Sequence, residues 1–398
     1  MKKWFQFVVA FLALATVSFA QSVFVVDALG GPGSTHTTIS AAIAAAQDGD
    51  MVLIRDGMYL EDLVVDGKGL RIEGDAGANV RVDNIRIENL GPNQVASIGG
   101  LVSGGLDRKI GPNILLSNNQ GAVWLQVSTD ADFGITASIQ DCDNVVLHGM
   151  SLTQLGWISQ RCTGGVCYDA TLTIERSTVS LFDSAVRGLT GNEILLPNGS
   201  SGALAIDSDV WILGSTIQGG DGADEYLVGV VGHGGAGLEI RGTSDVNIVG
   251  SSISGGLGGQ GTYPGTPGLG VNIVSGTLTR HQKLARSLTT PAVVRSGQPA
   301  TLTFQGKNGD IVFLLISSSP SAFAYLRNVL GPIVVPPDSF FARIGKADTS
   351  GQLNVVLNAP TVSSGVRTFY MQAAGLSRAT NDIVMGSPVP LHVLGPGL

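Results

Sequence analysis

Two stretches of the chain carry one pattern. Ser208–Gly220 reads SDVWILGSTIQGG and Ser244–Gly256 reads SDVNIVGSSISGG, 36 residues later. Two further stretches follow it more loosely, DNVVLHGMSLTQ from Asp143 and ATLTIERSTVSLF from Ala170. Aligned on their apolar anchors, Val145, Leu172, Val210 and Val246, the units recur at intervals of 27, 38 and 36 residues. Each is apolar, any residue, apolar, two turn-like residues, a small polar residue, any residue, apolar. So short a strand cannot bury an apolar face alone; it must stack on its neighbours. The expected architecture is therefore all-β: a right-handed parallel β-helix in which Val210, Ile212 and Ile217 lie over Val246, Ile248 and Ile253. The longer intervals are insertions in one turn.

Both matching units end in glycine. After Ile217 the chain reads QGGDGADEYLVGVVGHGGAG, and after Ile253 it reads SGGLGGQGTYPGTPGLG. Leaving equivalent isoleucines, the insertions are expected on one side of the stack. Glycine there permits close loop-to-loop approach and positive φ. They are either solvated surface loops or a binding face, since loops on a rigid scaffold commonly carry function.

Upstream, SVFVVDA reads as a strand, and Thr37 or Thr38 caps a helix with apolar positions Ile39, Ala42, Ile43 and Ala46, stopped by Gly49. Short alternating strands follow. Beyond TLTRHQKLARSLTTP the strands lengthen and Pro-rich turns separate them: SGQPATLTFQG, GDIVFLLISSS, GQLNVVLNAP, VRTFYMQAAG and PVPLHVLG. That pattern predicts a small antiparallel β-sandwich. The expected division is a signal peptide over 1–20, the parallel β-helix over 21–285 and the sandwich over 286–398.

The signal peptide rests on Lys2 and Lys3, the apolar run Trp4–Thr16, and Ser18 and Ala20 before the cut. No later segment could span a membrane. The chain is thus expected to be secreted or held at a bacterial cell surface, as a monomer. Its formal charge is −8, and −10 without Lys2 and Lys3, which disfavours nucleic acid and anionic membranes. Cys162 and Cys167 flank the turn-like TGGV and read as a small disulfide in an exported protein. Cys142 is left as a buried free thiol.

The stretch TTISAAI at Thr37–Ile43, then GMYLEDLVV with Gly57, Tyr59 and Glu61, then LRIEGD, resembles the opening of pectin methylesterases and other members of the pectin-lyase-like superfamily. The resemblance covers about 40 residues and implies a helix capping the first coil of a parallel β-helix. The C-terminal part is similar to the small β-sandwiches that end many secreted bacterial proteins. The esterase motifs G-x-x-D-F-I-F-G and L-G-R-P-W are missing; DADFG at Asp130–Gly134 is a fragment. Gly232-His233-Gly234 resembles the G-H-G of polygalacturonases, without that family's other motifs. Asp141 and Asp143 precede a rung in QDCDN, which reads as a turn rather than as the paired carboxyls of a glycosidase. Lyase chemistry needs a base and commonly Ca²⁺. Asp183, Arg187 and His233 are the catalytic candidates. Asp221, Asp224 and Glu225 form an oxygen-rich cluster suited to calcium, or else a solvated loop tip. Asp209 and Asp245, at equal places in two units, read as turn formers. The expected function is a non-catalytic β-helix protein that binds polysaccharide or a cell-surface component through its Gly-rich loops. A polysaccharide lyase or glycoside hydrolase, and a structural or adhesive module, are the alternatives.

Overall fold

The computed structural model describes residues 21–103, 113–129, 136–153, 170–191, 197–225, 231–320, 324–326, 328–336 and 340–398. Cys162, Cys167, Asp130–Gly134 and the segment 1–20 lie outside them. The chain is mostly β, and its one helix among the described residues is Ile39–Ala45. Thr38 caps that helix by accepting from the Ala41 N–H. The Glu61 carboxylate accepts the Ile39 and Ser40 N–H groups at 2.7 and 2.9 Å, and the Lys68 ammonium donates to the carbonyls of Ile43, Ala44 and Ala46. A negative charge at the N-terminus and a positive one at the C-terminus oppose the helix dipole. Ile39, Ala42 and Ile43 are buried against the first strands.

Eighteen strands join in one system of parallel ladders that begins at Val23–Val26 and ends at Thr277–His281. A second parallel ladder links Ser151–Thr153, Ala185–Arg187, Thr216–Gln218 and Ser252–Ser254. Val210, Ile212 and Ile217 pair in register with Val246, Ile248 and Ile253. One alignment changes. Leu172 pairs with Ala137 and Ala203 in a neighbouring column, and Val179 takes its place between Val145 and Val210. The turn of ATLTIERSTVSLF lies between Ala170–Glu175 and Thr178–Phe182, one corner earlier than the turn of SDVWILGSTIQGG. The intervals become 34, 31 and 36 residues (145 to 179, 179 to 210, 210 to 246).

The corners between strands explain the small polar residue of the pattern. Asp141, Arg176 and Asp207 have φ of 55°, 46° and 49° at one corner; Gly149, Asp183, Gly214 and Gly250 have 60°, 48°, 61° and 57° at the next. The residue that follows is serine in most cases, and its hydroxyl takes the main-chain N–H of the coil before. Ser177, Ser208 and Ser244 accept from Cys142, Ser177 and Ser208 at 3.0–3.2 Å. Ser184, Ser215 and Ser251 accept from Met150, Ser184 and Ser215 at 3.0–3.1 Å. Each hydroxyl also donates to a nearby carbonyl, so the buried N–H groups at the bends are satisfied. Cys142 is buried and free, and it stands at a serine position of the first ladder.

Beyond Ala285 lie two sheets. Ser287–Thr289, Pro299–Gln305 and Gln352–Asn358 form one; Ile311–Ser317, Phe340–Lys346, Val366–Leu376 and Ile383–Leu394, with Val293–Arg295 and Val329–Leu330, form the other. Leu288, Leu302, Phe304, Leu314, Phe369, Met371 and Leu391 fill one core between them. Buried Arg286 pairs with buried Asp310 at 2.5 Å, at the start of this unit.

The six-stranded sheet packs on the parallel ladders. Phe182, Leu213 and Val249, which point out of the parallel stack, meet Ile333, Val334, Val335, Tyr370, Val384 and Met385 in one buried cluster. This is why VWIL is apolar at successive positions: Val210 and Ile212 point into the stack, Leu213 lies buried under the second unit, and Trp211 is half-buried at the margin of that contact. The Trp124 and Tyr370 rings meet edge-on at 5.0 Å. Gln372 pins the partner segment by donating to Pro332 and Gly386 carbonyls and accepting from the Val334 N–H.

Glu73 and His392 also meet between the two units, both buried, at 3.7 Å. Burial pushes the Glu73 carboxyl up to about 8. Burial, with the nearby Arg71 charge, pushes His392 down to about 3. Both are therefore uncharged at neutral pH, and the contact is not an ion pair. Below the ordinary glutamate value of 4.5 the Glu73 contribution to stability is complete, and it is lost as pH rises through about 8. The His392 contribution is complete above 6.5 and is lost as pH falls toward about 3. The two contributions offset each other between pH 4.5 and 6.5, so the unfolding free energy from urea titrations is expected to fall as pH rises from 6.5 to about 8, by about 2 kcal/mol. Glu73→Gln is expected to flatten that fall; an unchanged alkaline slope in the variant refutes the assignment.

Candidate functional site

The glycine insertions are not loose. Three of them, not two, lie side by side, because the segment after Val186 joins those after Ile217 and Ile253. The outgoing limbs, 188–191, 218–225 and 254–261, hydrogen-bond one to the next at every third residue. Gly188 and Gly191 donate to Gln218 and Asp221, and Gly219, Gly222 and Glu225 donate to Ser254, Leu257 and Gln260. The returning limbs do the same: Gly199 and Gly202 to His233 and Ala236, Gly234 and Gly237 to Thr266 and Leu269. Outgoing and returning limbs are cross-bonded antiparallel, as in Gly232 to Ala223, Gly235 to Gly220, Gly256 to Gly235 and Gly259 to Gly232. A period of three with no bonds inside a limb is that of the polyproline II helix. The insertions form a two-layered bundle of such helices, held by main-chain bonds.

Packing, not chirality, requires glycine here. None of these bundle glycines has positive φ, contrary to half of the expectation from sequence. A Cβ at Gly220 would stand 1.7 Å from the Leu189 carbonyl oxygen, one at Gly232 1.6 Å from that of Pro197, and one at Gly199 1.9 Å from that of Gly220. No side chain fits at such distances, so neighbouring limbs touch backbone to backbone.

The acidic side chains of this flank bind main chain. Asp221 accepts the Leu257 N–H at 2.7 Å, Asp224 accepts that of Gln260 at 2.6 Å, and Glu225 accepts that of Thr262. The other Asp221 oxygen meets the Arg187 guanidinium at 3.0 Å. The three carboxylates thus reach three separate donors on the next limb. Among the described residues no group of three or more His, Cys, Asp or Glu could hold a metal ion. Thermal melting in millimolar Ca²⁺ is expected to match melting in Mg²⁺ or chelator. A Ca²⁺-specific rise that Asp221→Ala/Asp224→Ala removes would restore the calcium site.

The catalytic candidates are likewise engaged, each with its own partners. His233 accepts the Thr266 N–H on Nδ1 at 3.0 Å, and its own main-chain N–H donates to the Asn198 side-chain oxygen. Asp183 occupies a left-handed corner filled by glycine in the coils on either side, with His148 at 3.6 Å. Its carboxylate lies within 2.4 Å of where a Cβ at Gly214 would stand, and the φ of 61° at that corner favours glycine there. Arg187 turns to Asp221 and not to Asp183. Asp141 is a corner residue, as the turn reading expects, and makes a two-bond pair with Arg176 at 2.7 and 2.9 Å; that guanidinium holds its carboxyl below the ordinary range. Asp209 and Asp245 correct the sequence reading. They open strands and face solvent side by side, while the turn is made by Asp207, whose carboxylate accepts the Thr243 N–H.

Sequence reading missed the serine ladders and the third insertion. The serines were legible as the small polar place of each unit; the insertion, LTGNEILLPNGSSG, carries only three glycines.

No protein family model matches the chain, and no curated protein sequence matches it. Among solved structures, the superoxide reductase (neelaredoxin) of Ignicoccus hospitalis aligns at 9% identity over 27% of this chain and 80% of its own, with a TM-score of 0.17. A variant of the same reductase aligns with the same identity and score over 79% of its length. A score at that level carries no argument about this chain. No helix among the described residues is long and apolar enough to cross a membrane.

Proposed function

We propose that the mature chain is an exported, non-catalytic right-handed parallel β-helix, backed by a C-terminal β-sandwich, that binds polysaccharide at or outside the bacterial cell surface. The parallel ladders with their in-register apolar columns support the β-helix. One observation supports the absence of catalysis most directly: the candidate acids and bases on the glycine flank are occupied in holding main chain. Asp221, Asp224, Glu225 and His233 each accept a main-chain N–H of the following coil. A general acid or base must instead be free to reach the substrate proton. Rigid, hydrogen-bonded limbs suit a fixed binding surface better than a closing lid.

The test is incubation of the protein from Gln21 onward with a panel of neutral, amino and acidic polysaccharides, following retention, unsaturated products and new reducing ends. Retention without turnover is the expected result. Unsaturated products would make it a lyase, and new reducing ends a hydrolase.

A second reading, an adhesive module, draws on the last coil. Leu257, Tyr263, Leu269 and Val274 are 60–81% exposed there. A cluster of exposed large apolar residues commonly marks an interaction surface. Concentration-dependent sedimentation of the same protein, abolished by Leu257→Ser/Leu269→Ser, would favour it.

A further inference from the structure

One strip of the parallel sheet has the chemistry of a sugar site, and none of the candidates above lies on it. Asp209 and Trp211 share a strand face by their two-residue spacing, as do Asp245 and Asn247, and Thr277 and Thr279. The ladders place Asp245 between Asp209 and Thr277, and Asn247 between Trp211 and Thr279. Asp209, Asp245, Thr277 and Thr279 are exposed; Trp211 and Asn247 are half-buried. Above them runs a row of rings. Trp211 is stacked with His281 at 5.8 Å and 3°, and with Tyr325 at 5.8 Å and 21°. His281 Nε2 meets the Asn247 side-chain oxygen at 3.3 Å. Tyr325 is 49% exposed and comes from the C-terminal unit, so two units build the strip.

Two carboxylates in register on adjacent strands repel each other. The strand spacing sets their main chains about 4.8 Å apart. Thr277 donates to Asp245 at 2.6 Å, but neither aspartate forms an ion pair among the described residues. Both act on the Tyr325 hydroxyl, whose proton is held up to about 12 by burial first and then by their negative charge. Structure alone therefore leaves this repulsion standing. A ligand that brings O–H or N–H donors to the carboxylates and an apolar ring face to the aromatic row relieves it, because hydrogen bonds to charged acceptors are the stronger kind and aromatic rings offer large apolar faces.

We infer that the strip of Asp209, Asp245, Asn247, Trp211 and Tyr325 binds a glycan that carries no acid groups. This rests on the polysaccharide-binding reading and deepens it, since the two carboxylates exclude the polyuronates that a pectin-type site would take. Sites of this kind favour the junction of two units, where concave surface forms.

The experiment uses the whole chain from Gln21 in affinity electrophoresis through gels containing a neutral glucan, a chitosan or polygalacturonate. Retardation by glucan or chitosan and none by polygalacturonate is expected, with chitosan arms separating amino from neutral sugars. Tyr325→Ala and Asp209→Asn/Asp245→Asn are each expected to weaken binding by about tenfold or more, the loss of a stacked ring or of charged hydrogen bonds. The aspartate pair is exposed and its repulsion is lost in the variant, so that variant melts no lower than the wild type and remains informative if Tyr325→Ala disturbs packing. Glycan binding that neither variant alters removes the strip and leaves the polysaccharide reading standing. Preference for polygalacturonate overturns the charge argument. Absence of retardation in all three gels overturns both.

Discussion

Ile212→Asp is expected to abolish the folded stack rather than weaken it. Ile212 is 1% exposed and pairs in register with Leu181 on one side and Ile248 on the other. A carboxylate there has no partner and no water, and the cost is roughly 4–5 kcal/mol or more. That is a large share of the stability of an ordinary domain, about 5–15 kcal/mol. Thr216→Asp, on an exposed position four residues later, is expected to change stability by roughly 0.5 kcal/mol or less. Urea unfolding followed by circular dichroism compares the two. A cooperative, wild-type transition in Ile212→Asp would refute the register.

Gly220→Ala is expected to be nearly as damaging, although it adds a single methyl group. Gly220 donates to the Ser200 carbonyl and its own carbonyl accepts from Gly235, so it is tied to both neighbouring limbs. The new carbon has backbone on the side it enters, with the Leu189 carbonyl carbon at 2.3 Å. Backbone cannot rotate away as a side chain can, so the limbs must separate and those bonds break. Overpacking of this kind costs about 1–3 kcal/mol, and each lost hydrogen bond adds about 1 kcal/mol. Gly91→Ala is the control, since the nearest atom to its Cβ is the tip of the Gln94 side chain at 3.5 Å. Hydrogen exchange of the amides of Gly232, Gly235 and Gly256 is expected to accelerate in Gly220→Ala and stay slow in Gly91→Ala. Equal protection in both would mean that the limbs are not packed as described.

The paired units were readable because Val210, Ile212 and Ile217 repeat at 36 residues with nothing to blur them. The earlier coils were harder. ATLTIERSTVSLF fits the unit one corner too early, because Ser177 fills the small polar place as well as Ser184 does, and Arg176 turns the chain there at φ 46°. A corner whose left-handed residue is Arg or Asp is invisible to a search for Gly and Asn. The helix and its cap were plain from Thr38 and the spacing of Ile39, Ala42 and Ile43. The strand Phe340–Lys346 was not, because its burial alternates irregularly and half its residues lie near the surface. The site was least legible. Asp221, Asp224 and Glu225 cluster in sequence as metal ligands do, and only the neighbouring limb reveals that each has a main-chain donor waiting. Conversely, Trp211 and Tyr325 are 114 residues apart, and nothing local announces that they meet.

The glycine bundle separates what holds a surface from what the surface says. Its contacts are main chain to main chain, so the positions that face inward admit one residue only. The positions between them divide in two: Asp221, Asp224 and Glu225 brace the next limb with their carboxylates, whereas the side chains of Leu257, Tyr263 and Leu269 are exposed and only main-chain groups of Leu257 and Leu269 do any holding. The exposed apolar positions of such a surface can be rewritten residue by residue without touching its support. Most folds lack that freedom, because their surface side chains share in the packing beneath. A lineage that must follow a changing partner could vary these outward letters rapidly while every third glycine stays fixed.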